Sequence, residues 1–499
     1  MKKLAALFLA LCMTLSVMSF AAADEEPFVL TVMMPDFYST VDFQVDGNPV
    51  LEAIEAATGV KLDIRWVANS AYTDAISTTL ATPNDMPMVM IATDARASMI
   101  VDSARAGAFW DLTDYVADAE NYPNLAAGDA TVYNNISVDG KIYAIYRSRA
   151  YPRAGIYYRT DIAAAVGIDK EPETLEELTA LAEALAGYSD DTYALNMCNY
   201  TAGTINLITI AFGAPNEWGI DENGDIYPAF QSPAYLEGLN WLRHLYEIGG
   251  IDPDFITIES GSWNDAEYTS KAFMRFDCLD NGYRLQEWFE TNEGVTDQIV
   301  GLIGGLKKED GSITIWPQNA GFSGEVLVTK QVSEADLPKV MKFLDWCNGA
   351  EGQMLLNWGV EGVTYWLDAD GYRLSSPESG EDVTLQVQTI QHSLNQLGMN
   401  VTGDLCIPQK QTALRDEYNQ INADYAQYAV ANPCYPFISE TNVAFGSMLS
   451  TILSDAAVQY IACQIDEDGL RAAWAEWEDN GGLLMTQEYN EAYHASLQQ

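Results

Sequence analysis

The sequence predicts an α/β fold built in more than one lobe, and three observations predict it. Apolar strand-like runs alternate with amphipathic helical ones, no long Pro/Ser linker separates them, and 499 residues exceed a single core. At roughly 100–200 residues per domain, two or three lobes are expected, crossed by the chain more than once.

Lys2 and Lys3 precede an uncharged, mostly apolar run from Leu4 to Phe20, then Ala21-Ala22-Ala23 and the acidic Asp24-Glu25-Glu26. This is the pattern of a secretory signal peptide cleaved after Ala23. The run is at the lower limit of a spanning helix and ends in small residues, which argues against an anchor. Cys12 follows Leu11, where a lipobox carries a small residue, so release without lipidation is expected. Phe28–Met33 then reads as a strand, Asn48–Thr58 as a helix ending at Gly59, and Val60–Val67 as a second strand. Met86–Thr93 and Ile142–Tyr146, the latter after an Asp139-Gly140 turn, are further strands. Thr174 and Glu177 form a capping box behind Pro172, Leu175, Leu178, Leu181 and Leu185 mark one helical face, and Gly187 ends it. Leu236–Ile248 and Leu337–Cys347 are similar amphipathic helices. Asp221–Asp225 imitates the start of a calcium loop, but Ile226 stands where its glycine is needed, so a hairpin turn is expected.

The chain carries 72 acidic and 25 basic side chains, a net charge of −47. Loss of the leader leaves 23 basic groups and a charge of −49. Binding to nucleic acid or to anionic lipid is excluded as a default, because both need Lys and Arg to replace counterions. A hydrophobic content of 48% is far too high for a disordered acidic chain. No later segment resembles a transmembrane helix. The six cysteines left after cleavage, Cys198, Cys278, Cys347, Cys406, Cys434 and Cys463, are either scattered thiols or form one or two disulfides.

Several blocks carry a resemblance. Asp139-Gly-Lys-Ile-Tyr-Ala-Ile145, Ile156-Tyr-Tyr-Arg-Thr-Asp-Ile162 and Pro172-Glu-Thr-Leu-Glu-Glu177 stand in order, and Leu80–Met88, Tyr246–Asp254, Leu355–Tyr365 and Trp474–Trp477 with Gly481-Gly482 agree. Together they resemble the extracellular solute-binding proteins of ABC importers, family 1, in the oligosaccharide-associated subgroup similar to alginate- and rhamnogalacturonan-binding lipoproteins. Tyr146 replaces the family's proline after Ile145, and Met88 follows Pro87 where the family has Asp.

The resemblance implies a two-lobe periplasmic-binding-protein-like fold with a cleft between the lobes and several crossing segments. Lobe 1 would hold 24–152 plus 323–435 and lobe 2 would hold 153–322 plus 436–499, after a leader at 1–23. Crossings are expected near Ser148–Ala154, Ala320–Gly324 and Ala431–Ser439. It also implies a monomeric, non-enzymatic protein that captures an oligosaccharide and presents it to ABC permease subunits. The calcium of some relatives is not expected, because Tyr188–Thr192 is too short for its loop, and no metal or cofactor is assigned.

Sugars present an apolar face and a ring of hydroxyls, so candidates are aromatic and paired polar residues in loops at the carboxyl ends of strands. They are Asp36 and Tyr38 after the first strand, Tyr72 and Asn69 after the second, and Thr93, Asp94 and Arg96 after the third. The second lobe would add Trp263, Asp277, Asp280, Asn281, Tyr283 and Arg284, with Trp316 and Trp366 as further candidates. Arg147, Arg149, Arg153 and Arg159 fall within 13 residues, where an even spread of basic groups puts fewer than one. Arg149 and Arg153 would bind carboxylates of an acidic sugar; alternatively, the four neutralise neighbouring acids and hold the lobes together.

Two other classes stay open. A carbohydrate-active enzyme needs only two carboxylates, for which Glu259, Glu351 and Glu361 can be nominated, and a peptide-binding importer component shares the fold. No G-x-S-x-G, Walker or H-E-x-x-H pattern occurs.

Overall fold

The computed structural model describes residues 27–36, 47–93, 95–151, 153–308, 313–314, 319–377 and 394–498. The leader, Tyr38, Asp94 and Trp316 lie outside the described residues.

The strand, helix, strand opening forms as its local signals dictate. Strand β1 (Phe28–Asp36) leads to helix α1 (Pro49–Thr58) and strand β2 (Val60–Ala68), which pairs parallel to β1 along its length. Asn48 caps α1 by accepting the Val50 N–H at 2.9 Å, and Gly59, at φ 68°, closes it by donating to the Glu55 carbonyl. Strand β3 (Val89–Ala92) is apolar throughout and buried throughout, as a strand covered on both faces must be.

Eight further elements complete the frame of the two lobes. Strands β4 (Ala144–Ser148), β5 (Ala154–Arg159), β6 (Tyr193–Leu195), β7 (Ala272–Cys278), β8 (Val300–Ile303) and β9 (Phe322–Val328) join helices α2 (Leu175–Ala186) and α3 (Leu337–Cys347). One sheet has the order β2-β1-β3-β9-β4 and the other β8-β5-β7-β6. Each sheet lies in its own core, the first around Met33, Met90 and Leu327, the second around Ile156, Leu178 and Phe276. Helix α2 buries Leu178, Leu181 and Leu185 and is capped by Thr174, which accepts the Glu177 N–H at 3.2 Å. Asp221–Asp225 is a hairpin turn in which Asp221 accepts the N–H groups of Asn223 and Asp225 at 2.8 and 2.9 Å. All six described cysteines are free thiols, and Cys198, Cys347 and Cys434 are buried.

The chain passes from β4 to β5 and, later, back into β9, and these two passages are bonded side by side. The Arg149 N–H donates to the Gly321 carbonyl at 2.9 Å, and Asn319 donates to the Tyr151 carbonyl at 3.2 Å. A third passage, Asn432–Ser439, touches both cores: Cys434 and Phe437 pack on the second and Ile438 on the first.

One segment departs from expectation. Helix α4 (Ala413–Tyr425) falls in the span expected for lobe 1, yet Leu414, Tyr418 and Ile421 pack with Leu285, Phe289 and Leu302 on the second-lobe side. Arg415 secures it there through a two-point ion pair with Glu287, one contact at 2.8 Å. An apolar helical face must be covered, but its pattern does not say by which lobe.

Helix α3 anchors the first lobe through a buried carboxylate. Asp345 accepts the backbone N–H groups of Asn124 and Leu125 at 2.8 and 3.0 Å and the Asn124 side chain at 2.9 Å. Asp345→Ala leaves these donors unpaired, and a loss of about 2–4 kcal/mol is expected in urea unfolding. An unchanged midpoint would refute this role.

Candidate functional site

Arg147 lies near the carboxyl end of β4, and the passage from β4 to β5 carries Arg149 and Arg153 from one sheet to the other. Each arginine meets a different environment.

Arg147 is 5% exposed and donates through Nη1 to the Ser323 carbonyl at 3.0 Å, while its Nε has no partner among the described residues. Gly324 makes room for it: at φ 106°, a Cβ there would sit 2.6 Å from the Ala92 carbonyl and 2.9 Å from Arg147 Nη1. Burial, reinforced by Arg149, pulls the Arg147 guanidinium down to about 10. Arg149 is held at its backbone by Gly321, and its Nη1 lies 3.3 Å from the Met399 sulfur. No carboxylate lies within ion-pair distance of it among the described residues, and burial, followed by the nearby Arg153, pulls it below the usual range. Arg153 by contrast donates to Asp280 at 3.1 Å, and Arg284 reaches the same carboxylate oxygen at 2.9 Å. Arg159 points into the second lobe, pairs with Asp161 through two contacts of 2.8 and 2.6 Å, and lies 4.6 Å over Phe289. The arginine cluster is thus two groups: Arg153 and Arg159 neutralise acids, and Arg147 and Arg149 do not.

A cavity of about 680 Å³ opens between the lobes beside this floor. Arg149, Tyr151, Trp358 and Arg373 line it from one side, Tyr283 and Arg284 from the other, with Arg415 between. Two aromatic rings, Trp358 and Tyr283, carry guanidinium groups on their faces, Arg373 at 3.4 Å and Arg415 at 4.4 Å. The acids on the wall are already engaged. Asp129 accepts the Tyr151 hydroxyl at 2.9 Å and Asp404 accepts the Cys406 N–H at 2.9 Å. Four arginines against two aspartates on its lining give the cavity an excess of positive charge in a chain whose net charge is −47.

Several expected residues take other places. Tyr72 is buried, and its hydroxyl donates to the carbonyls of Met33 and Ile91 at 3.0 and 2.8 Å, tying β1 to β3 and leaving no polar atom for a ligand. Trp263 is 6% exposed: its indole N–H donates to the Asn196 carbonyl at 3.2 Å and Arg275 stacks 4.0 Å over the ring, so it is no open platform. Tyr200, 56% exposed and edge-on to Trp263, is the aromatic that faces solvent there. Asp280 holds Arg153 and Arg284. Asp277 accepts from Asn281 at 2.8 Å, and Arg96 donates to the carbonyls of Asn135 and Ser137 at 2.6 Å. Asp36 ends β1 and Thr93 follows β3, Asn69 opens a short helical turn after β2, and Trp366 is half-buried in a two-stranded ribbon with Arg373. Trp358, Arg373 and Arg415 are wall residues that the sequence reading did not select, nor did it select Tyr200. Arg373 and Arg415 could have been found as rare basic groups in an acidic chain, and Trp358 lies inside the Leu355–Tyr365 block. None of Glu259, Glu351 and Glu361 lines this cavity, and Glu351 accepts the Trp346 indole N–H at 3.1 Å.

Comparisons with known proteins bear on the family and the fold. The model of the bacterial extracellular solute-binding protein family matches residues 50–359. Lipoprotein LipO of Bacillus subtilis is 31% identical over 464 residues, covering 90% of this chain and 90% of that protein. The polygalacturonan/rhamnogalacturonan-binding protein YtcQ of Bacillus subtilis is 26% identical over 454 residues, covering 89% of this chain and 87% of that one. Among solved structures, alginate-binding protein AlgQ2 without calcium superposes with a TM-score of 0.67 at 18% identity over 94% of this chain and 98% of that chain. The N-glycan transport solute-binding protein NgtS of Streptococcus pneumoniae gives 0.66 at 17% identity over 94% of this chain and 99% of that one. The two superpositions show the two-lobe fold.

Proposed function

Because the chain belongs to the bacterial extracellular solute-binding protein family, we propose that it captures an acidic oligosaccharide between its lobes and presents it to an ABC-type importer. The observation that carries this reading is Arg149, set beside an interlobe cavity with no carboxylate within ion-pair distance among the described residues. A half-buried guanidinium without a counter-charge is costly, and a uronate carboxylate would supply that charge through two parallel hydrogen bonds. Tyr283 and Trp358 also line the cavity, each carrying a guanidinium on one ring face. The name of YtcQ gives independent support, since polygalacturonan and rhamnogalacturonan are polymers of uronates.

Asp36 and Thr93 would complete the site from the first lobe when the lobes close, and Tyr38 and Asp94 stay candidates from the sequence. Ligand contacts shared by both lobes then favour the closed state, because only differential contacts shift such an equilibrium. The protein acts as an exported, non-enzymatic monomer, released after Ala23, and its acidic exterior keeps it from polyanions.

Thermal unfolding with di- and trigalacturonate, and with their neutral methyl esters, tests the reading. The acids should raise the melting temperature, and the rise should shrink as salt goes from about 0.05 to 0.5 M. Equal, salt-independent shifts with neutral sugars would sink the acidic ligand, and release of shorter products would identify an enzyme.

A further inference from the structure

A second guanidinium in the same cavity is harder to explain as structure. Arg373 is 7% exposed, and its Nε and Nη1 are buried with no hydrogen-bond partner among the described residues. Its backbone is fixed by donation to the Pro408 carbonyl at 3.0 Å, and its guanidinium lies 3.4 Å over the Trp358 ring. That stacking fixes the plane of the group within the cavity wall, which Arg373 lines beside the Cys406 thiol. The neighbours do not neutralise it. Burial pushes the Cys406 thiol up to about 12, so it stays uncharged. Asp404 attracts from beyond ion-pair distance while holding the Cys406 N–H, and Arg415 is committed to Glu287.

Arg149 and Arg373 come from separate parts of the first lobe, one on the passage after β4 and one on the ribbon after Trp358, and both line one cavity of about 680 Å³. That volume lies within the roughly 300–1,000 Å³ of small-molecule sites and exceeds one sugar ring. Resting on the reading above, we infer that Arg373, held flat on Trp358, is a second carboxylate subsite, so that the ligand carries carboxylates on at least two sugar units. Trp358 is its positioning residue.

Calorimetric titration of the full-length protein tests this with galacturonate, trigalacturonate, and trigalacturonate methyl-esterified on all but one ring. Wild type should bind trigalacturonate at least about 10-fold more tightly than the mono-acid trimer. Arg373→Gln should remove most of that difference by weakening the binding of trigalacturonate. Arg373→Lys keeps the charge without the planar fork and should lie between the two. If wild type binds both trimers equally, or if Arg373→Gln binds trigalacturonate as wild type does, the second subsite is wrong while the acidic-ligand reading stands. If no uronide binds wild type, the reading itself fails.

Discussion

Arg149→Ala is expected to lower affinity for oligogalacturonides by about 100-fold while leaving the unliganded protein as stable as before, or more so. The two signs follow from the same environment. The backbone bond from Arg149 N–H to Gly321 survives the substitution, so the crossing keeps its register. The side chain makes no ion pair among the described residues, is desolvated, and is repelled by Arg153, so its removal relieves the folded state. With ligand bound, the same guanidinium faces a carboxylate from which water is excluded, and its loss strands that charge. Calorimetry of the free protein and titration with trigalacturonate separate the two effects. A melting temperature several degrees lower would mean that Arg149 is a structural cation instead.

Arg275→Ala should have the opposite character and destabilise the second lobe by about 3–5 kcal/mol. Arg275 is 4% exposed, pairs with Glu267 at 3.2 Å and Asp277 at 3.4 Å, donates to Asn264 Oδ1 at 2.8 Å, and covers the Trp263 ring. Its loss leaves the buried Glu267 carboxylate with only neutral donors such as the Tyr157 hydroxyl at 3.1 Å. Burial already raises the affinity of Glu267 for a proton, and losing its cation raises it further. Folding then favours the protonated acid, so the penalty is absent at pH below the ordinary carboxylate range and grows as pH rises through the raised folded value. The deficit of Arg275→Ala should therefore be smaller at low pH than at neutral pH, and Glu267→Gln in the same chain should recover part of it. A pH-independent deficit would contradict this origin. Trp263 and the end of β7 are tied to the same network, so the variant should also blunt ligand binding.

What was legible in the sequence was local or carried by several blocks in order. Helix α2 could be placed because its cap, its leucine spacing and its terminal glycine all lie within fourteen consecutive residues, Thr174–Gly187. The passage bearing Arg149 could be located from blocks on either side, and its arginines stood out because the chain has so few cations. What was not legible depends on partners far away in the chain. Tyr72 and Trp263 look like platforms until Met33, Ile91 and Asn196 claim their polar atoms. The amphipathic pattern of α4 does not reveal that its cover is Leu285 and Phe289. Trp358 and Arg373 become one unit only because the fold stacks them.

The position of β9 between β3 and β4 sets an order of events during synthesis. Val326 aligns with Ile91 on one side and with Ile145 on the other, so β4 has no sheet partner, and β3 only β1, until residues 322–328 exist. From residue 148 to residue 322 the ribosome makes the second lobe's strands while β3 and β4 wait with open edges. Pairing over such sequence distances is slow and leaves the young chain exposed to wrong partners. A chain stopped before residue 322 therefore should yield no independently folded first lobe, only an aggregation-prone half-sheet.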